Sequence, residues 1–407
     1  MTTQSIQGWR TPLIVILAGC VIATTGFGIR SVLGLFLEPM TSSSGWTRET
    51  FGLAMALQNL LWGIGLPFAG ALADKYGSTK VISAGAVMYF VGIIGMAMAS
   101  SPLMLQLMGG ILSGLGIAFS AFTLAMAAMV RVVGPERRSF ILGLGTAAGS
   151  FGQVIFSPIS QGFIDAYGWY IALIILASFT LLIIPMALCL PKNSVPHGEN
   201  QEVKQSLTEA LREAFGHQGY VLLTLGFFVC GFHVAFISVH FPAYIRDLAM
   251  PATVGAWSIA LIGLMNIAGS FLAGLAGQKW SKKWGLSFIY FTRSLVILIL
   301  ILSPKNELTI YFFAAAMGLL WLSTVPLTTG IVAQVFGVRY MATLFGIVFF
   351  SHQLGSFLGV WLGGRIYDQT GSYDGMWWAG IILGLLAALI HLPINERPLA
   401  RLGKTAS

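Results

Sequence analysis

The sequence predicts an all-α membrane protein with twelve transmembrane helices in two six-helix pseudo-repeats. Three observations lead there. Of 407 residues, 56 % are hydrophobic and only 9 % are charged, with a mean hydropathy of +0.83; soluble domains carry about 25 % charged residues. Apolar runs of about 20 residues, enough to cross a hydrocarbon core of roughly 30 Å as helix, recur along the chain. One polar stretch, 191–218, divides those runs six and six.

The runs are 12–38, 51–72, 80–99, 102–130, 139–164, 169–190, 219–245, 253–277, 284–303, 307–333, 341–366 and 374–394. Strands of a membrane barrel would alternate apolar and polar residues over about ten positions, and these runs do not. The first run is too long for a signal-peptide core and no A-x-A-like site follows it, so it is expected to stay as a span. The polar stretch contains SLTEALREAF, which can form a short amphipathic helix along the membrane surface. It predicts a first bundle over 1–190, a linker over 191–218 and a second bundle over 219–407.

Orientation follows from the basic residues, which concentrate on the cytoplasmic side of membrane proteins. With the N-terminus inside, the inner segments hold sixteen of the 22 Lys and Arg and the outer loops four, Arg48, Arg246, Lys305 and Arg365. Both termini are therefore expected in the cytoplasm, in an inner membrane. The net charge of +8 is mostly this bias and implies no nucleic-acid partner. Cys20, Cys189 and Cys230 all lie in spans and are too few for a disulfide framework.

The halves echo one another. AAGSFG (147–152) in span 5 answers QLGSFLG (353–359) in span 11, and GALADKYG (70–77) after span 2 answers GLAGQKWSKKWG (274–285) after span 8. Parallel repeats with a binding site between them near the midplane are a transporter architecture.

Gly70, Asp74, Lys75 and Gly77 of GALADKYGSTK resemble the loop signature of the major facilitator superfamily, and the resemblance covers the whole chain. LGLFLEPM (33–40), GWTRE (45–49) and RRSFILGLGTAAGSFG (137–152) are similar to the monocarboxylate porter and oxalate/formate exchanger branch. The resemblance implies a rocker-switch carrier whose spans 1, 4, 7 and 10 line a central cavity, and which moves a small organic anion, in many members with a proton. It also implies that Asp74 and Lys75 lock the inner gate, with Arg131, Arg137 and Arg138 as partners. The best-known porters carry an Asp and an Arg in span 8. Here LIGLMNIAGSFLAG (261–274) offers only Asn266, so an arginine that holds substrate has to come from another span.

An ionisable side chain at the bilayer centre costs about 2.5–3.5 kcal/mol even on the lenient insertion scale. Those in the body of the spans, away from their ends, are Arg30, His233, His240, Arg293 and His352, with Gln58, Asn59, Gln153, Asn266 and Gln353 as neutral partners. All fourteen acidic residues fall in loops, the linker, the tail or the ends of spans. Two arginines and three histidines without an acid describe a cavity that favours an anion, and the planar guanidinium fork matches a carboxylate. The expected substrate contacts are Arg30, Gln153, His233, Asn266, Arg293, His352 and Gln353. His233 and His240, two turns apart, are the expected proton relay, and Asp74, Lys75 and Arg138 the expected gate.

Each has an alternative reading. Arg30 either meets the ligand or snorkels to the outer interface. Arg293 either touches substrate or makes a structural bond. The histidines either titrate or bond a neighbouring helix, and His240 adjoins the kink at Phe241-Pro242. Phe119, Trp321 and Tyr244 either shape the cavity or only pack, and the ladder Gly355, Gly359, Gly363 reads as close helix packing.

No Cys or Asp completes a metal site with the histidines, no P-loop is present, and no nucleophile–base pair lies within the spans. An enzyme, a metal centre and a nucleotide cofactor are thus not expected. The reading is a monomeric secondary transporter of a small organic anion, a proton-coupled monocarboxylate carrier. Its alternatives are organic-anion exchange and efflux of a toxic or amphipathic compound.

Overall fold

The computed structural model describes residues 10–134, 137–191, 205–337 and 339–400. Among them are eleven helical runs long and apolar enough to cross a membrane. They are Pro12–Ser44, Arg48–Tyr76, Ser78–Ala97, Pro102–Arg131, Phe140–Leu188, Gln218–Asp247, Ala252–Lys279, Lys282–Leu302, Glu307–Phe336, Met341–Thr370 and Asp374–His391. The fifth has 49 residues, about 74 Å at 1.5 Å per residue, more than twice the membrane. It is broken at Gly168, whose φ of 77° and ψ of 163° no helix contains. The two passes meeting there, spans 5 and 6, bring the total to the twelve the sequence predicts.

Local chemistry sets the boundaries. Thr11, Thr47, Ser101 and Asn306 each accept a backbone N–H of the first turn that follows, satisfying donors that a helix start leaves without partners. Between the halves, Ser206 and Glu209 close a reciprocal capping box that starts the amphipathic helix Leu207–Gly216. Of the linker, residues 192–204, with Glu202 and Lys204, lie outside the described residues.

Spans 1, 4 and 10 are not continuous α-helices. Span 1 tightens to a 3₁₀ turn over Leu33–Phe36, and span 4 widens to a π-helix over Gln106–Leu112. Span 10 stops at Leu320 and resumes at Thr324. Each irregularity frees backbone groups that lipid cannot satisfy. Gln58 donates to the Gly109 carbonyl at 3.0 Å, and Asn266 accepts the Leu322 N–H at 3.0 Å. Buried amides on spans that face the protein are therefore part of what keeps the breaks stable.

The two halves meet along three seams: span 2 against span 11, span 5 against span 8, and span 1 against span 7. The seams are closed toward one end only. At the end away from the chain termini, the far side, backbones touch. A Cβ on Gly34 would lie 2.2 Å from the Ser238 carbonyl oxygen, and one on Gly364 2.4 Å from that of Arg48. At the terminus side, Gly70, Gly143, Gly274 and Gly346, on spans 2, 5, 8 and 11, have nothing within 4 Å of such a Cβ. The halves are splayed there, and the space between them opens on the terminus side.

Candidate functional site

Arg30 lies in the last helical turn of span 1 before the 3₁₀ segment. Its guanidinium carbon is 4.5 Å from the Trp62 ring centroid and 5.9 Å from that of Phe27, within cation–π range. One terminal nitrogen donates to Asn59 Oδ1. Asn59 is itself fixed, because its amide nitrogen donates to the Met55 carbonyl at 2.8 Å. The residue therefore has aromatic walls and one neutral acceptor, and no carboxylate among the described residues pairs with it.

Around it are donors with nothing to bond. Arg30 Nε, Trp62 Nε1 and the Tyr89 hydroxyl are buried and have no partner. All three residues line one concavity with Gly26, Phe27, Ile117, Ser120, Ala121 and Phe122. Arg30 also lines a second, on the seam with Ala235, Ser238 and Val239 of span 7. A fixed cation at the junction of two concavities, ringed by unspent donors, is suited to an anion. An unmade bond at a buried polar atom costs about 1–3 kcal/mol, which an acceptor-rich ligand would return. Trp62 and Tyr89 were not legible in the sequence, since aromatics in lipid-embedded helices usually serve packing.

The other expected site residues are dispersed. Arg293 is fully buried in the second half, where it donates to the Leu320 and Trp321 carbonyls. Those carbonyls end the first segment of span 10, so the cation caps a helix C-terminus and meets its dipole. Its Nε and Nη1 have no partner. Gln153 donates to the Ile259 carbonyl at 2.9 Å, and Asn266 donates to Ser150 Oγ at 2.9 Å. Both amides hold the span 5–span 8 seam together.

His233 donates through Nε2 to the Gly380 carbonyl of span 12 at 2.8 Å, and a Cβ on Gly384 would touch its ring. It faces away from Arg30, into its own half. His240 donates to the Val360 carbonyl at 2.8 Å and accepts from the Tyr373 hydroxyl at 3.0 Å. It has no nitrogen left. The expected relay thus places its rings on different neighbours, one on span 12 and one on span 11. His352 stacks on Phe349 and contacts Gln353, and Phe349 in turn meets Trp62 edge-on at 5.3 Å. A continuous contact runs from Arg30 through Trp62 and Phe349 to His352, making His352 the span histidine that packing links to the anion concavity.

On the terminus side Asp74 pairs with Arg131 at 3.6 Å, within the first half. Lys75 lies 5.0 Å from the Tyr76 ring, and Arg138, which starts span 5, is exposed. The seal in this state lies at the far side, on residues the sequence reading did not select. Arg48 grips Asp247 with both terminal nitrogens, at 2.7 and 2.6 Å. It also donates to the Tyr373 hydroxyl at 3.0 Å and lies 3.7 Å from the Tyr367 centroid. Burial raises the pKa of the Tyr373 phenol above its ordinary value, against the opposing pull of Arg48, so the hydroxyl keeps the proton it donates to His240. Asp368 accepts the backbone N–H of Arg48 and Glu49, at 3.1 and 2.7 Å, capping span 2 from the opposite half. Trp361 donates to Glu49 at 3.0 Å, and Arg246 pairs with Glu38 at 3.5 Å.

The Major Facilitator Superfamily family model matches residues 15–274 and 223–407. Among curated relatives, an uncharacterized MFS-type transporter, YcxA, of Bacillus subtilis is 25 % identical over 94 % of this chain and 95 % of its own length. Monocarboxylate transporter 13 of Bos taurus is 24 % identical over 97 % and 92 %, and monocarboxylate transporter 11 of Homo sapiens 25 % identical over 90 % and 78 %. The fold is similar to that of a bacterial homologue of the human lysosomal transporter Spinster, with a TM-score of 0.76 at 16 % identity over 95 % of this chain and 97 % of that one. It is also similar to a D-xylose–proton symporter, with a TM-score of 0.72 at 15 % identity over 95 % and 99 %. With the family model running through both halves, the chain belongs to the major facilitator superfamily and is a membrane transporter, not an enzyme.

Proposed function

We propose that the protein carries a small organic anion, a monocarboxylate, across the inner membrane by alternating access, with Arg30 as the anchor of the carboxylate. The observation that carries this reading is the Arg30 guanidinium itself, bonded to an amide, paired with no acid among the described residues and ringed by unspent donors. The relatives named monocarboxylate transporters support the same substrate class. The terminus side, with its excess of Lys and Arg, is the cytoplasmic face in this reading, and the carrier works as a monomer of two bundles joined by the linker.

The coupled proton is assigned to His352, through the contact path that joins it to Trp62. His233 and His240 become packing residues that fix span 7 to spans 12 and 11. Asp74, Lys75 and Arg138 belong to the inner gate, which is parted while the far-side seal is closed.

A second reading, exchange of one anion for another, is favoured by the same charge. Closing the cavity around an empty, uncompensated Arg30 would bury a lone cation, and breaking a buried pair in this way costs about 3–5 kcal/mol. Return with a second anion avoids it.

The test is uptake of a labelled monocarboxylate panel into proteoliposomes, with and without an inward proton gradient or anion loaded inside. Uptake driven by the gradient and abolished in Arg30→Gln supports symport. Uptake that requires internal anion supports exchange. No movement of any carboxylate by folded protein refutes both.

A further inference from the structure

Hydrogen-bond polarity at the far side fixes the charge of a buried histidine. A carbonyl oxygen can only accept, so His240 Nε2, 2.8 Å from the Val360 carbonyl, carries a hydrogen. A guanidinium can only donate, so the Tyr373 oxygen accepts from Arg48 Nη1 at 3.0 Å. The phenol hydrogen then goes to His240 Nδ1, 3.0 Å away, which takes it on a lone pair. Donation runs one way, from Arg48 through Tyr373 and His240 to Val360, and the ring within that chain is neutral.

A proton on Nδ1 does not fit this arrangement. It would turn the acceptor of the phenol into a donor and set two cations, the imidazolium and Arg48, on one neutral oxygen. The nearest carboxylate able to balance the new charge is spent, since both oxygens of Asp247 are on Arg48 at 2.6 and 2.7 Å. The other charged groups packed around this end are engaged as well. Asp368 accepts the first N–H groups of span 2, Glu49 accepts from Trp361 and faces Arg365 at 3.9 Å, and Glu38 pairs with Arg246. Tyr367 lies against the Arg48 guanidinium, Tyr244 packs on the Tyr373 ring, and Asp374 is exposed at the start of span 12.

Opening the far side removes these constraints. The His240 side chain is fully buried, and part of its cover comes from the opposite half. A Cβ on Gly52 of span 2 would lie 3.7 Å from His240 Cε1 and Nε2. Gly52 lies one helical turn beyond Arg48, so a movement of span 2 away from the second half withdraws the cover and the cation together. The ring then meets water, where an imidazole titrates near pH 6.5.

We infer that His240 is a proton-binding site of the far-side gate, barred to the proton while the gate is shut and accessible once span 2 has moved, so that acid on the far side holds the gate open. The site stands apart from the coupled proton assigned to His352, and it sets which way the carrier faces. Closure requires the neutral ring, so it is favoured above about pH 6.5 and lost as the pH falls. With an ordinary imidazole in the open state, the closed-to-open ratio should drop about tenfold between about pH 7.5 and 5.5.

The experiment is pulsed electron paramagnetic resonance on purified full-length carrier with spin labels at Ser100→Cys and Pro304→Cys, exposed positions in far-side loops of opposite halves, in a variant lacking Cys20, Cys189 and Cys230. Distances recorded across that pH range should shift from the shorter, closed population to the longer, open one as the solution is acidified, by about tenfold in their ratio. His240→Gln, and separately His240→Leu, cannot charge and should hold the ratio constant, so that one misfolded variant leaves the other to decide. A native ratio indifferent to pH, a shift toward closure in acid, or the acid response kept in either folded variant overturns the inference. Each of those results leaves the Arg30 anchor and the His352 assignment standing.

Discussion

The guanidinium of Arg48 and the carboxylate of Asp247, 199 positions apart, form a two-pronged ion pair that ties span 2 of one half to span 7 of the other at the far side. Every strong partner of Arg48 comes from the opposite half: Asp247, Tyr373 and the Tyr367 ring. The side chains are only 12 % and 27 % exposed. When the far side opens, all of these contacts break together.

Arg48→Ala or Asp247→Asn is therefore expected to shift the resting equilibrium toward far-side opening. Loss of a partly exposed pair of good geometry is worth about 1 kcal/mol, or about fivefold in the population. A Val360→Cys reporter, buried between the halves on span 11, should react faster with a membrane-impermeant thiol reagent from the far side. Unchanged labelling in both variants would remove the lock from the mechanism.

Glycines at the two ends of the seams should respond oppositely. Gly34→Ala places a methyl against the Ser238 backbone and opposes far-side closure. Gly346→Ala meets nothing in the present state and should be tolerated until the terminus side closes. Cross-linking of cysteine pairs at each end would show Gly34→Ala depleting far-side closed carrier, with Gly346→Ala depleting the opposite state.

Loss of Tyr89 and loss of Arg30 should differ in size. Tyr89→Phe removes one neutral donor, about 0.5–1.5 kcal/mol, whereas Arg30→Gln removes a charge-assisted pair of bonds, about 1.5–3 kcal/mol for each such bond. Equilibrium binding of a labelled carboxylate should weaken about two- to tenfold in the first and beyond about tenfold in the second. An equal effect of the two would argue that the charge of Arg30 is spent elsewhere.

The histidines separate by the same logic. His233→Gln should keep gradient-driven uptake and lower the melting temperature, because the Gly380 carbonyl lies within the protein and an amide can still reach it. His352→Gln should keep anion binding and lose the response to the gradient. The reverse pattern would return the proton path to span 7.

The spans were legible because a bilayer imposes a length and a composition on each crossing; even the divided 49-residue run could be parted near Gly168 from sequence. Arg30 was legible because an intramembrane cation without an acid is costly wherever it points. The direction of His233 was not, since rotating a helix by one residue turns a ring from the cavity to span 12. The far-side lock was hidden for another reason. Arg48, Asp247, Asp368 and Tyr373 are ordinary loop-edge residues until the fold brings together positions 199, 320 and 325 apart.

By itself, then, the sequence determined that the chain crosses a membrane many times in two related halves and carries unpaired positive charge inside it, because hydropathy and charge are properties of residues taken one by one. Only the tertiary structure decided which cation lies beside open donors, which polar groups are spent on seams, and which end of the molecule is closed. Those depend on pairings between distant helices, and no local pattern records a partner that lies in the other half.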